Sequence, residues 1–242
     1  MLSITDLPLL LCRMSERGNL KTIKQIFSYI NEENISKDEY GCRIAPLVET
    51  SLAWSPFKTS SVMSPLILAA INGHVDVCRY LITHQNANIE ARDDFGNTAL
   101  LHAVKKNQCN VAKLLVDNKA NIKATNHHKM HAAYCAAQDG YLDCLKMLVE
   151  QDEDIVDLRG CHGRTLLIIA SMNGMLDVCK YLVTKTKDVN EIDSYGRTAL
   201  WWARKKNHTN IRDILLRNGG CYKRRCKLCG EVMWCLCGEA GL

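Results

Sequence analysis

The chain has 242 residues, 47% hydrophobic and 24% charged, a globular balance with length enough for one or two cores. Its net charge of +5, from 31 Lys and Arg against 26 Asp and Glu, is too small to argue for nucleic acid or an anionic membrane. No stretch of about 18 apolar residues is present, so no membrane span is expected.

The N-terminus, MLSITDLPLLLC, has no basic stretch and an apolar core of only Leu7 to Leu11, which does not read as a signal peptide. Cysteines number 13, an odd count, and eight lie scattered without framework spacing. That pattern points to a reduced, cytoplasmic chain with access also to the nucleus. Residues 1–30 contain LPLLLCRMSERGNLKTIKQIFSYI, two apolar-periodic stretches about Gly18, and read as an atypical N-terminal capping unit with Glu16, Arg17, Lys21 and Lys24 outward. An insert follows over 31–61, with five acidic residues against Lys37, Arg43 and Lys58. Loops of that length are either functional or disordered.

From residue 62 to 219 the chain repeats itself. The copies are SPLILAAINGHVDVCRYLI from Ser64, TALLHAVKKNQCNVAKLLV from Thr98, HAAYCAAQDGYLDCLKMLV from His131, TLLIIASMNGMLDVCKYLV from Thr165 and TALWWARKKNHTNIRDILL from Thr198. Gly73, Asn107, Gly140, Gly174 and Asn207 recur at intervals of 34, 33, 34 and 33. Gly and Asn are the residues that enter the left-handed region readily, so each marks the end of one helix before a second begins. Ser64, Thr98, Thr165 and Thr198 carry hydroxyls suited to N-capping, and Pro65 sits where a missing N–H costs nothing. Ala69, Ala103, Ala136, Ala170 and Ala203 let neighbouring helices approach closely. The expected apolar stripe of the second helix is Val75, Cys78, Leu81 and Ile82, matched by Leu176, Cys179, Leu182 and Val183. The segments ARDDFGNT, LRGCHGRT and EIDSYGRT between units predict tight turns flanked by extended residues. A unit of this kind cannot bury its apolar faces alone, so the architecture expected is a solenoid.

These residues resemble the ankyrin repeat, a 33-residue unit with the pattern D-x-x-G-x-T-P-L-H-x-A-A-x-x-G-H. Asp93, Gly96, Thr98, Leu100 and Ala103 fit it, as do Asp193, Gly196, Thr198, Leu200 and Ala203, and Ser64 to His74 fit it again. The repeat from Thr125 to Met130 departs, with Lys129 where the finger glycine belongs, and is expected to be distorted. The resemblance implies an all-α solenoid of helix–turn–helix units with β-hairpin-like fingers, and His102 hydrogen-bonded to its turn. It implies protein recognition through variable finger positions and the inner helices. Carried onto this sequence, those are Asp94, Phe95, Asn97, His128, Arg164, Tyr195 and Arg197 in the fingers, and Lys105, Lys106, Lys205 and Lys206 on the helices. Phe95 and Tyr195 are aromatic at the same finger position, as interface anchors are. The basic residues suit an acidic protein surface or peptide. No phosphate loop and no nucleophile with a positioned base is present, so a monomeric, non-enzymatic scaffold or adaptor is expected, with no cofactor for the repeats.

The last segment, 220–242, is a Cys-rich tail. Cys226 and Cys229, then Cys235 and Cys237, form two close pairs each followed by Gly, a spacing open to structural zinc. Lipid attachment and a tail that does not extend the core compete with that reading. Two further functions therefore stand beside the scaffold: a substrate-recognition adaptor of a ubiquitin ligase, and a binder whose recognition element is the zinc-ordered tail.

Overall fold

The computed structural model describes residues 7–32, 63–225 and 232–235. The insert expected over 31–61 lies almost wholly outside them, as do Cys226, Cys229 and Cys237. The chain divides into two compact units, Met1–His127 and His128–Leu242.

The first unit holds three helix pairs: α1 (Leu7–Glu16) with α2 (Leu20–Glu32), α3 (Pro65–Ile71) with α4 (Val75–Gln85), and α5 (Ala99–Lys105) with α6 (Cys109–Asp117). Inner helices α1, α3 and α5 stack in that order, and α4 packs on α6. The second unit repeats the arrangement with α7 (Ala132–Asp139) and α8 (Leu142–Gln151), α9 (Leu166–Asn173) and α10 (Leu176–Val183), and α11 (Ala199–Lys205) and α12 (Thr209–Arg217). Here α9 lies between α7 and α11.

Each inner helix starts on its predicted cap. The Ser64, Thr98, Thr165 and Thr198 hydroxyls accept from the N–H three residues on, at 3.2–3.4 Å, and His131 Nδ1 does the same for Tyr134 N. Each also ends alike: Gly73, Asn107, Gly140, Gly174 and Asn207 have φ between 56° and 81°. The next N–H then reaches back to the repeat alanine, as His74 N to Ala69 O at 3.0 Å and His208 N to Ala203 O at 2.8 Å, closing a Schellman turn. Those five alanines are completely buried.

Three expectations change. The outer-helix stripe is narrower and shifted: Val77, Cys78 and Leu81 are buried while Val75 and Ile82 are only half-buried, and Val178, Cys179 and Leu182 repeat this in α10. An outer helix touches neighbours along one side only, so two adjacent positions per turn suffice. Lys129 does not distort its repeat, because it takes the left-handed conformation at φ 58° in place of glycine. The fingers are tight turns without paired strands. The two strands among the described residues lie in the tail, β1 (Tyr222–Arg225) and β2 (Val232–Cys235), antiparallel with Tyr222 opposite Cys235 and Arg225 opposite Val232. Cys12, Cys78, Cys161 and Cys179 are free thiols.

Candidate functional site

The turn from Asp93 to Asn97 in the first unit is built on one buried carboxylate. Asp93 Oδ1 accepts from Phe95 N at 2.9 Å and Asn97 N at 2.7 Å, and Asp93 N donates to Asn97 O at 3.0 Å. Oδ2 accepts from the Asn97 amide at 2.9 Å and bonds His102 Nε2 at 2.8 Å. Burial alone pushes the Asp93 carboxyl up, but the hydrogen bonds from Asn97 and His102 outweigh it and hold the group below its ordinary value. Burial also pulls His102 down, against the opposing pull of Asp93. The consequence at the tip is exposure: the Phe95 side chain is 54% exposed, and Asp94 beside it is exposed too.

Asn97, expected among the positions open to a partner, is buried instead. Its side chain closes the turn on Asp93 and accepts from Asn126 and from Lys105 Nζ, both at 2.9 Å. Lys105 is thereby tied to the finger, whereas Lys106 is exposed. Arg92 links this finger to the following segment, donating to Gly96 O at 3.0 Å and Thr125 O at 2.7 Å.

The last finger of the second unit copies the design. Asp193 Oδ1 accepts from Tyr195 N at 2.9 Å and Arg197 N at 3.0 Å, and Tyr195 is 59% exposed. Arg197, where the first unit has Asn97, donates Nε and Nη2 to Asp193 Oδ2, both at 2.9 Å. Its guanidinium stands 4.3 Å from the Tyr195 ring and 4.3 Å from the Trp202 ring, with Trp201 at 5.3 Å. The two indoles meet edge to face at 5.0 Å. Sequence reasoning missed both tryptophans, although the doublet in TALWWARKK was the visible signal. The Tyr195 ring also leans toward His162 of the preceding finger at 5.8 Å without losing its exposure. Arg204 and Lys205 on α11, and Lys206 at its C-cap, are exposed.

Earlier in the second unit, the finger from Gly160 to Arg164 has the same closure, Gly160 N to Arg164 O at 2.9 Å, but no carboxylate. Arg164 lies 5.2 Å from the Trp202 ring, and its Nε is buried with no hydrogen-bond partner. His128 is exposed.

Burial pushes the Cys12 and Cys179 thiols up to about 11 and Cys78 to about 12, so none of these is a thiolate nucleophile. Among the described residues no group of three or more His, Cys, Asp and Glu side chains could hold a metal ion. Of the four cysteines with zinc-like spacing, only Cys235 is described, on β2. No described helix is long and apolar enough to cross a membrane.

A family model described as Ankyrin repeats (3 copies) matches residues 11–126 and again 127–225. Among curated proteins, the chain is 30% identical over 155 residues, 63% of its length, to ankyrin repeat and SAM domain-containing protein 6 of Danio rerio. It is 30% identical over 57% of its length to neurogenic locus notch homolog protein 2, and 31% over 62% to transient receptor potential cation channel subfamily A member 1, both of Homo sapiens. The matched stretch spans only 21%, 6% and 14% of those three proteins. Among solved structures, a chain in the complex of the Bd0816 predatory endopeptidase from Bdellovibrio bacteriovorus with immunity protein Bd3460 shares the fold. Its TM-score is 0.66 at 20% identity, over 86% of this chain and 96% of that one.

Proposed function

Because the chain belongs to the ankyrin-repeat family, whose repeats are protein–protein interaction modules, we propose that it is a non-enzymatic scaffold or adaptor that grips a partner protein with its finger tips. The observation that carries this reading is the equivalence of Phe95 and Tyr195. Both stand two residues after the carboxylate that folds their turn, and both are more than half exposed. Large apolar rings held out in this way add nothing to core packing, and rigid aromatics flanked by Arg are what interface anchors are made of. Tyr195 reaches its partner already stacked on Arg197, so little side-chain freedom is lost on binding. Exposed Lys106, Arg204, Lys205 and Lys206 favour an acidic partner surface.

The test is quantitative affinity capture from lysate with the full chain and its Phe95→Ala/Tyr195→Ala variant, alongside thermal melts of both. The reading expects the specific partners to disappear from the variant while its melting temperature stays within a few degrees. An unchanged partner set with an intact fold contradicts it.

A further inference from the structure

The second unit contains a cleft of about 480 Å³ between the Gly160–Arg164 finger and the helices α7 and α9. Met130, Met172 and Met175 give it flexible apolar walls, and Tyr134 and Arg164 also line it. Methionine walls adapt to whatever apolar side chain enters.

Arg164 is in the same register as Arg197. The closures Gly160 N to Arg164 O and Asp193 N to Arg197 O are 2.9 and 3.0 Å, and Gly163 N and Gly196 N bond back to Gly160 O and Asp193 O in turn. The difference is the first residue of the turn. Asp193 clamps Arg197 through two nitrogens, whereas Gly160 offers Arg164 nothing. Nor can the chain supply a carboxylate from that position, because a Cβ on Gly160 would stand 2.3 Å from Tyr134 Cδ2. The buried Tyr134 ring has taken the space. Arg164 keeps a hydrogen bond to the Tyr134 hydroxyl, but its Nε is left out of water and without an acceptor. Asp139, also lining the cleft, is exposed and takes the Gln138 amide at 3.2 Å.

We propose that this cleft seats an acidic residue of a partner protein together with an adjacent large apolar one. The partner's carboxylate takes the guanidinium of Arg164, as Asp193 takes Arg197, and the apolar side chain lies among the methionines. Carboxylate and guanidinium match as two forks, and the acceptor that Nε lacks is most rewarding where water is already excluded. The proposal rests on the reading of this chain as a protein binder and names the chemistry of one of its contacts.

The experiment is a titration of the full chain, labelled at its methionine methyls, with acetyl-Gly-Leu-Glu-Gly-amide, followed by NMR. Saturable shifts are expected at Met130, Met172 and Met175. Affinity should fall about tenfold, equivalent to about 1.4 kcal/mol, when the peptide carries Gln for Glu or when the protein carries Arg164→Gln. Because the peptide swap is made on the unaltered protein, the result does not hang on the folding of the variant. No saturable shift at those methyls up to millimolar peptide overturns the proposal, as does equal affinity for the Glu and Gln peptides. If the methyls stay silent while the finger variant still loses its partners, the cleft falls and the finger reading stands. If the peptide binds while the finger variant keeps every partner, the cleft stands and the finger reading falls.

Discussion

Trp202 Nε1 donates to Asp193 Oδ2 at 3.1 Å, nine residues back along the chain, and His102 Nε2 makes the same reach to Asp93 Oδ2 at 2.8 Å. Two chemically unlike side chains thus complete the same finger, because what the position must supply is one N–H directed at a buried carboxylate. Asp193→Ala strips acceptors from the Tyr195 and Arg197 backbone, from Trp202 and from the Arg197 fork at once. Leaving buried donors unsatisfied costs about 1–3 kcal/mol, and more where one is charged. Urea melts should show a loss of at least that size for Asp193→Ala, and a Tyr195 tip that is no longer held.

Acid should weaken the fold below neutrality. Burial pulls His131 from its ordinary value near 6.5 down to about 4, against a smaller opposing effect of the Leu158 backbone. The folded protein therefore binds fewer protons than the unfolded one between those values, so its stability is full above about pH 6.5 and falls as pH drops toward 4. His102 shifts in the same direction, and Asp93, held below its ordinary value, adds a further loss at more acid pH. At pH 4.5 the His131 contribution is about 2–3 kcal/mol. His131→Thr keeps a side-chain cap, its hydroxyl oxygen replacing Nδ1 as the acceptor for Tyr134 N, and removes the titrating ring. Its stability difference between pH 7.5 and 4.5 should shrink by about that amount in denaturant melts.

Lys129 pays a conformational penalty that its counterparts Gly96, Gly163 and Gly196 avoid, having φ 58° with a Cβ. Relief of about 1–2 kcal/mol on substitution by glycine is offset in part by the greater freedom of glycine in the unfolded chain. Lys129→Gly should raise stability by about 0.5–1 kcal/mol, read as a higher denaturation midpoint with an unchanged slope.

Leu115 and Leu182 are fully buried on the outer helices of the two units. Truncating either to Ala removes transfer energy and leaves a cavity, at a cost of about 2–5 kcal/mol. Phe95→Ala, at an exposed tip, should change stability by well under 1 kcal/mol. Equal melting midpoints for Leu182→Ala and the parent chain would mean that the repeat register assigned to α10 is wrong.

Much of this was legible in the sequence because backbone geometry restricts residue choice. The 33-residue period could be read from Gly and Asn alone, since few other residues take the left-handed turn. The Ser and Thr caps and the His102 bond to its turn followed from the same repeat. What depends on who touches whom was less visible. Asn97 sits at a position open to variation, yet its amide closes on Asp93 and Asn126, and one residue later in sequence Thr98 caps the helix. Gly160 looks like an ordinary turn glycine in LRGCHGRT. Only alignment against EIDSYGRT shows it standing where Asp193 does, and only the packing shows Tyr134 in the vacated space. The tail hairpin is set by strand pairing between β1 and β2, which no local pattern in a Cys-rich stretch announces.

Photo-crosslinking from the finger tips addresses the central claim most directly. Benzoylphenylalanine placed at Phe95 or Tyr195, and as controls at exposed Arg79 and Lys180 on the outer helices, would be irradiated in lysate. The account predicts one shared polypeptide cross-linked from both tips and absent from both controls. Cross-links from Arg79 and Lys180 to that polypeptide, with none from the tips, would contradict it.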